Sequence, residues 1–266
     1  NKKDLMMDDH KKFKKECKKE ISKQSINKKF INLSQKWIEE SIKTKYTYHF
    51  DWLGRPIIQF PQDIIALQQL MWDIKPDLVI ETGIARGGSL IFISSMLELL
   101  SICGSEKKAK VVGIDIDIRK HNEIKIKKHP LSKRIHLLKG SSTDKKIFDK
   151  VKKISKNHKK IMVILDSNHN HQHVLEELKI YAPLVTSNSY CIIFDTIIDY
   201  MPNKFNKKKN WTNKKNPKTA IDEYLNYIKK DKPKDYNKKF LNFSIDRNLD
   251  NLIMLSNAPG GFLKRK

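Results

Sequence analysis

The stretch Asp77-Leu-Val-Ile-Glu-Thr-Gly-Ile-Ala-Arg-Gly-Gly-Ser89 decides the fold. Leu78 to Ile80 form a short apolar β run, and Glu81 brings a carboxylate to its carboxyl end. Gly83, Gly87 and Gly88 make a turn through which backbone can approach a ligand without an obstructing Cβ. The helix expected next, Leu90 to Leu100, aims its first amides at a ligand carboxylate or phosphate. Strand, acid, glycine turn and helix in that order describe a cradle for a nucleotide-type cofactor.

The pattern repeats outward from there. Further strands are predicted at Lys110–Ile116, Ile135–Leu138, Ile161–Leu165 and Tyr190–Phe194, with helix-length segments between them. Parallel strands joined by crossover helices give a Rossmann-like, doubly wound α/β sheet that binds ligands outside its carboxyl ends. Upstream, Asp63–Trp72 reads as a helix, and Tyr48–Pro61 as an ordered loop marked by Gly54 and two prolines. Phe30, Ile31, Leu33, Trp37, Ile38 and Ile42 give an earlier segment an amphipathic face. The expected organisation is an N-terminal helical extension and substrate-side loop over residues 1–60, then a cofactor-binding domain over 61–266.

Composition narrows the class. The chain has 266 residues, 39% of them hydrophobic, enough for a large core. No run of 18 apolar residues suggests a membrane span, and the Lys-rich start lacks the apolar core of a signal segment. Cys17, Cys103 and Cys191 are scattered and unpaired in pattern, which suits a reducing, cytoplasmic setting. A net charge of +24 invites a nucleic-acid partner. Yet of the 54 basic residues only Arg55, Arg86, Arg119, Arg134, Arg247 and Arg265 are arginine. Phosphate and base readers favour arginine's fork, so the lysine excess reads as compositional bias and no specific nucleic-acid partner is expected.

The residues just past each strand choose the cofactor. They are Glu81 and Gly83, Asp115 and Asp117, Gly140-Ser-Ser142, Asp166-Ser-Asn-His169, and Asp195-Thr196. Gly83-Ile-Ala-Arg-Gly-Gly88 lacks the second glycine of a dinucleotide fingerprint, so the close pyrophosphate approach is not provided. Glu81 beside Gly83 instead suits a cofactor with a cationic amino-acid end, S-adenosylmethionine. Asp115 is placed to accept from both ribose hydroxyls, and Ser142 to reach the adenine.

These motifs carry a resemblance. Trp52-Leu-Gly-Arg-Pro-Ile-Ile-Gln-Phe-Pro-Gln-Asp63, Glu81-Thr-Gly with Gly87-Gly-Ser89, Gly113-Ile-Asp-Ile-Asp117, Leu165-Asp-Ser-Asn-His169, and Tyr181-Ala-Pro-Leu-Val185 followed by Asp195-Thr196 resemble the cephalosporin hydroxylase family from about residue 48 onward. The resemblance implies the fold of class I S-adenosylmethionine-dependent methyltransferases, similar to metal-assisted O-methyltransferases of the catechol and macrolide-sugar type. It places Glu81, Gly83, Ala85, Ser89, Asp115 and Ser142 around the cofactor, with Asp166 at its edge. Phe240–Ile245 with Leu252–Leu255 resembles the terminal strand pair of such enzymes, giving a mostly parallel seven-stranded sheet, and Asn257–Phe262 reads as a turn-rich tail. Related enzymes form dimers or larger assemblies, so a homo-oligomer is expected.

An O-methyl transfer needs an acceptor oxygen held in line and relieved of its proton. Asp166 and Asp195, each just past a strand, are the expected hard oxygen ligands for Mg²⁺. Phe194 stands where the related metal-dependent enzymes carry the first of two acids, and the sequence leaves open whether Thr196 or Asp199 substitutes or the site is lost. His169 is the expected general base, at the position where catechol-type enzymes place a basic residue. His171 and His173 read as ordinary first-turn residues of the next helix. Tyr200–Lys218 reads as a lid or binding loop in which Phe205 and Trp211 stack on an acceptor ring, or as a plain Lys-rich loop.

Three other functions compete with transfer to a small-molecule or glycan hydroxyl. A hydroxylase would use the H-x-D set His49-Phe-Asp51 with a distant His, a short motif that is common by chance, leaving Asp51 and Trp52 otherwise to line or pack beside the acceptor loop. A nucleobase methyltransferase needs an N/D-P-P-Y/F loop or a Pro-Cys nucleophile, and Asp166-Ser-Asn-His169 occupies that place. A non-catalytic S-adenosylmethionine binder would keep the cradle and lose the chemistry.

Overall fold

The computed structural model describes residues 2–201, 212 and 214–266. Helices α1 (Lys2–Ile26) and α2 (Lys28–Lys43) lead to a small hairpin, β1 (Asp51–Trp52) and β2 (Arg55–Pro56), and to α3 (Pro61–Ile74). Strands and helices then alternate as β3 (Leu78–Thr82), α4 (Gly88–Ile102), β4 (Lys110–Asp115), α5 (Lys120–Lys128), β5 (Ile135–Lys139), α6 (Lys145–Ser155), β6 (Ile161–Leu165), α7 (His171–Tyr181), β7 (Tyr190–Ile193) and α8 (Pro217–Asp231). The chain closes with β8 (Phe243–Ile245), α9 (Arg247–Ile253) and β9 (Phe262–Arg265).

The main sheet has seven strands in the order β5-β4-β3-β6-β7-β9-β8. β3 to β7 are parallel, and β9 runs antiparallel between β7 and β8. The chain winds outward from β3 through β4 to β5, then returns to lay β6 on the other side of β3. The carboxyl ends of β3 and β6 therefore flank the switch point, where an open α/β sheet binds its ligand.

Alternation along the strands builds two cores. Val79, Val111, Met162, Ile164 and Ile192 face the layer of α3, α4, α5 and α9. Leu78, Ile80, Val112, Val163 and Ile193 face α6, α7 and α8. Each such side chain contributes about 1.5–3 kcal/mol by leaving water, so a strand buried on both faces is held from both sides. A smaller cluster of Ile38, Ile197 and Met201 seats α2 over the turn that follows β7.

The sequence-based strands differ from the structure at the carboxyl end. Leu252–Leu255 does not make a strand: Asp246 accepts from the amides of Asn248 and Leu249 and starts α9, which buries Leu249 and Ile253 four residues apart. The seventh strand is β9, from the segment expected to be a tail. Gly261 permits it, because a Cβ there would meet the carbonyl of Ile193 in the neighbouring strand. β7 ends one residue early, at Ile193. No helix among the described residues is long and apolar enough to cross a membrane.

Candidate active site

Glu81, on the central strand, is 2% exposed, and its Oε2 has no hydrogen-bond partner among the described residues. Burial pushes its carboxyl up to about 8, opposed by a hydrogen bond from Ser89 and reinforced by the charge of Asp115. An unpartnered buried carboxylate oxygen weakens the fold unless a cation meets it. Asp63, in the first turn of α3, is fully buried and pushed up to about 7, although Ser256 and Asn257 donate to it. Both acids keep protons in the folded chain that they release in the unfolded one, so stability is expected to fall as pH rises from about 4 to 8. Thermal unfolding across that range would contradict the burial if stability rose instead.

The glycine turn departs from its expected reason. Gly83 has φ +80°, and a Cβ there would lie on the carbonyl of Asp166, so the space it leaves is filled by β6's exit and not by a ligand. Gly88, at the start of α4, is likewise pressed against the carbonyl of Pro56. Gly83 still lines the opening beside the strand end. Ala85 holds φ +43°, a costly conformation. Its neighbourhood is tied down: Asn122 Nδ2 donates to the Ala85 carbonyl at 3.3 Å, and Arg55, itself buried, donates to the Arg86 carbonyl and to Asn122 Oδ1.

Asp115 accepts the amide of Ile84 at 3.0 Å and that of Asp117 at 2.9 Å. A carboxylate has lone pairs beyond those two bonds, and Asp115 also lines the opening. Ser142, 5% exposed, has its Oγ 3.0 Å from His173 Nε2, while its carbonyl accepts from Tyr181 Oη at 2.7 Å. Ser89 sits in the first turn of α4.

Three side chains converge beyond this turn. Asp166, Asp195 and His169 each offer a ligand atom, all within 4.8 Å of one another, the one such cluster among the described residues. Asp195 Oδ2 lies 2.8 Å from His169 Nε2. Asp195 holds a left-handed conformation, φ +56°, at the head of the 3-10 turn Thr196–Tyr200. Asp166 Oδ2 accepts from Gln59 Nε2 at 3.1 Å. Burial, then the charges of Asp195, Glu81, Asp63 and Glu177, hold the Asp166 carboxyl well above the usual carboxylate range. A cation placed among these groups would reverse that repulsion, and two carboxylate groups suit a hard divalent ion.

Phe194 is 2% exposed and packs in the core, so no second acid is presented there. Asp199 stands outside the cluster and accepts from Asn216 Nδ2 at 2.9 Å, while Thr196 Oγ1 donates to the Pro259 carbonyl at 2.9 Å. The third group of the cluster is His169. His49 and Asp51 are exposed and outside any such cluster, so the H-x-D set of a hydroxylase is not assembled among the described residues. Trp52 packs edge-on against Phe92 and donates to Ser95 Oγ, while Phe205 and Trp211 lie outside the described residues.

Helix α7 supplies what the sequence reading missed. His171 bonds Thr219 and Glu223 of α8, an ordinary tie between helices. His173 faces the site instead, with Ser142 Oγ at 3.0 Å and Ser167 Oγ at 3.2 Å. Glu177 is fully buried and accepts from Ser167 Oγ at 2.7 Å. His173, Glu177 and Tyr181 recur every fourth residue, a stripe along one helix face that the sequence displayed and that a strand-end search passed over. Gln59 and Asp63 were also missed as site residues, although both stand in the Trp52–Asp63 motif.

Two cavities adjoin at this edge. One, of about 350 Å³, is lined by Gly83, Asp115, Ser142, Ser167, His169 and His173 among others. The second, of about 470 Å³, shares Gly83, Asp115, Ser167 and His169, and adds Ala85, Asp166 and Asp195. Its outer wall comes from Ile42, Lys45, Thr47 and Tyr48.

Residues 44–266 match the family described as Rhamnosyl O-methyltransferase/CmcI. The chain belongs to this family. Over 223 residues it is 27% identical to the rhamnosyl O-methyltransferase of Mycobacterium bovis (strain BCG / Pasteur 1173P2), covering 84% of this chain and 79% of that one. Among solved structures it is similar to a CmcI apo-structure, with TM-score 0.56 and 21% identity over 82% of this chain and 76% of that chain. It is also similar to a CmcI structure described with Mg and SAM, with TM-score 0.52 and 18% identity over 82% of this chain and 77% of that chain. At those identities the structures establish a shared fold, which is the doubly wound sheet expected for the rhamnosyl O-methyltransferase/CmcI family.

Proposed function

We propose that this chain is an S-adenosylmethionine-dependent O-methyltransferase that acts on a hydroxyl of a small molecule or glycosyl unit, assisted by Mg²⁺. The observation that carries the proposal is the shared wall of the two cavities: Gly83, Asp115, Ser167 and His169 border both, so a cofactor space opens directly onto the Asp166–His169–Asp195 cluster. The names of the relatives support the reaction class. Residues 61–266 supply the cofactor fold, and residues 1–60 supply the acceptor-side wall through Ile42, Lys45, Thr47 and Tyr48.

Glu81, with its unpartnered oxygen, takes the cofactor's ammonium; Asp115 takes the ribose hydroxyls; Ser142 and the first cavity take the base. Gly83, Ala85 and Ser89 shape the turn around the amino-acid end. S-adenosylmethionine supplies a methyl group already activated on a sulfonium. Mg²⁺ would be held by Asp166 and Asp195, and would supply a lowered hydroxyl pKa together with a fixed acceptor orientation. His169, beside those carboxylates, removes the acceptor proton, and Asp195 steadies the imidazolium that results. The surrounding apolar groups Ile197, Ile198 and Met201 keep water from the acceptor.

The direct test is transfer of labelled methyl from S-adenosylmethionine to a panel of rhamnosides, other glycosides and catechols, with and without Mg²⁺. Cofactor binding without any methylated product would favour a binder over an enzyme. His169→Ala is expected to lower the rate by about 10²-fold and to remove the limb of the pH–rate profile that rises as the general base loses its proton. Full activity across pH in that variant would remove His169 from the proton transfer.

A further inference from the structure

Two of the most deeply buried polar side chains near the site belong to one short segment. Gln59 is 3% exposed and Asp63 is fully buried. They stand four residues apart where the chain passes from the β1–β2 hairpin into α3, and each reaches a different acid of the cluster. Burying an amide and a carboxyl opposes folding unless both are matched by partners, and here the partners lead to Asp166 and Asp195.

The Gln59 tie is direct. Its Nε2 donates to Asp166 Oδ2 at 3.1 Å, while its Oε1 has no partner among the described residues. Once ionised, as a bound cation requires, the Asp166 carboxylate only accepts, and the amide nitrogen is the group that faces it. The donor sets the carboxyl's rotation without bringing a charge that would compete for it.

The Asp63 tie is relayed. Oδ1 accepts from Ser256 Oγ at 2.6 Å and Oδ2 accepts the Asn257 amide at 2.8 Å. Ser256 Oγ in turn accepts the Ala258 amide at 2.8 Å. The loop so fixed receives the turn that Asp195 heads: the Ile197 amide donates to the Asn257 carbonyl at 3.2 Å, and Thr196 Oγ1 to the Pro259 carbonyl at 2.9 Å. Asp195 needs that support, since its left-handed conformation is held only where neighbours over-determine it.

The segment between the ties is stiff. Phe60 is fully buried beneath the ring of Trp37, at 5.8 Å between centroids, and Pro61 opens α3 with a fixed φ. We propose that Gln59 and Asp63 are positioning residues, a rigid strap that sets the geometry of the Asp166–Asp195 pair from one side. The proposal rests on the catalytic reading of that pair and assigns neither residue a contact with substrate.

The test uses the 266-residue chain and Mn²⁺ as the probe, its uptake followed by electron paramagnetic resonance, beside calorimetry with S-adenosylmethionine. Groups that orient metal ligands from outside are worth about 10–100-fold in affinity or rate. Gln59→Leu, which keeps the volume and removes the donor, is expected to weaken Mn²⁺ binding and kcat by about tenfold or more. Cofactor affinity should stay within about threefold, because Gln59 acts on Asp166 alone. Asp63→Asn can still accept the Asn257 amide through its oxygen and should stay close to the parent, while Asp63→Ala should lose Mn²⁺ affinity as Gln59→Leu does. Equal Mn²⁺ affinity in Gln59→Leu and the parent would overturn the strap and leave the proposed function standing. If the parent itself takes up no Mn²⁺, the metal reading falls, and the strap is decided by a double-mutant cycle of Gln59→Leu with Asp166→Ala, which removes the acceptor, on thermal stability. Additive effects in that cycle would overturn it, and coupling would sustain it.

Discussion

Asp166→Asn is expected to lower methyl transfer by about 10³-fold, the size of several kcal/mol of lost charge stabilisation at the acceptor. Asp166 is buried among four other acids. Its carboxyl is held above the usual range first by burial and then by Asp195, Glu81, Asp63 and Glu177. Such a gathering favours protonation until a divalent cation enters, when every one of those repulsions is offset. The asparagine keeps the shape and one acceptor oxygen, so Gln59 retains its partner and the strand ends stay in place. What is lost is the charge. Cofactor affinity is expected to fall by no more than about tenfold, since Glu81 and Asp115 remain. A stopped-time assay with saturating cofactor separates the two quantities. A fully active Asp166→Asn enzyme, or one with no response to Mg²⁺ before the change, would remove the cation from the mechanism.

Glu81→Gln is expected to weaken S-adenosylmethionine binding by about 30- to 1,000-fold, which corresponds to about 2–4 kcal/mol for removing one partner of a desolvated charge pair. The pH dependence gives a sharper signature. In the free chain Glu81 titrates at about 8, so at neutral pH most molecules carry it protonated. An ammonium placed against it favours the charged form, hence binding releases a proton and affinity rises with pH. The rise should be visible from about pH 6 to 7.5, where an α-ammonium still keeps its own proton. Calorimetry in buffers of different ionisation heat measures that proton directly. The glutamine variant should release none, and equal proton release in the two proteins would move the ammonium elsewhere.

Much of the fold was legible because buried parallel strands advertise themselves. Leu78–Ile80, Val111–Ile114 and Ile161–Leu165 are short apolar runs buried on both faces, and each is followed by an acid, Glu81, Asp115 and Asp166, of which the last two line the opening. The carboxyl-terminal strand pair was harder. Leu252–Leu255 is wholly apolar and Phe262–Arg265 is half cationic, so hydropathy favours the wrong segment; the Asp246 cap and the contact of Gly261 with Ile193 accompany the actual choice. At the site, strand ends could be listed from sequence, but groups arriving across the sheet could not. Gln59 lies 107 residues from the Asp166 it orients, and Asp63 lies 194 residues from Asn257. Local pattern carries no record of such separations. His173 was misjudged for a different reason: a helix phase, once fixed by the Asn170 cap, turns it toward Ser142 and turns His171 away.

The contact of Gly83 with the Asp166 carbonyl also bears on how such a protein can diverge. Position 83 has no side chain to vary, and Asp166 cannot retreat without parting its own amide from the Thr82 carbonyl that anchors it. The turn at Gly83 and the acid beyond it are therefore locked together, and a side chain at position 83 would displace the exit of β6. On the proposed acceptor side, Ile42, Lys45, Thr47 and Tyr48 stand outside the sheet, so a change there leaves its registers untouched.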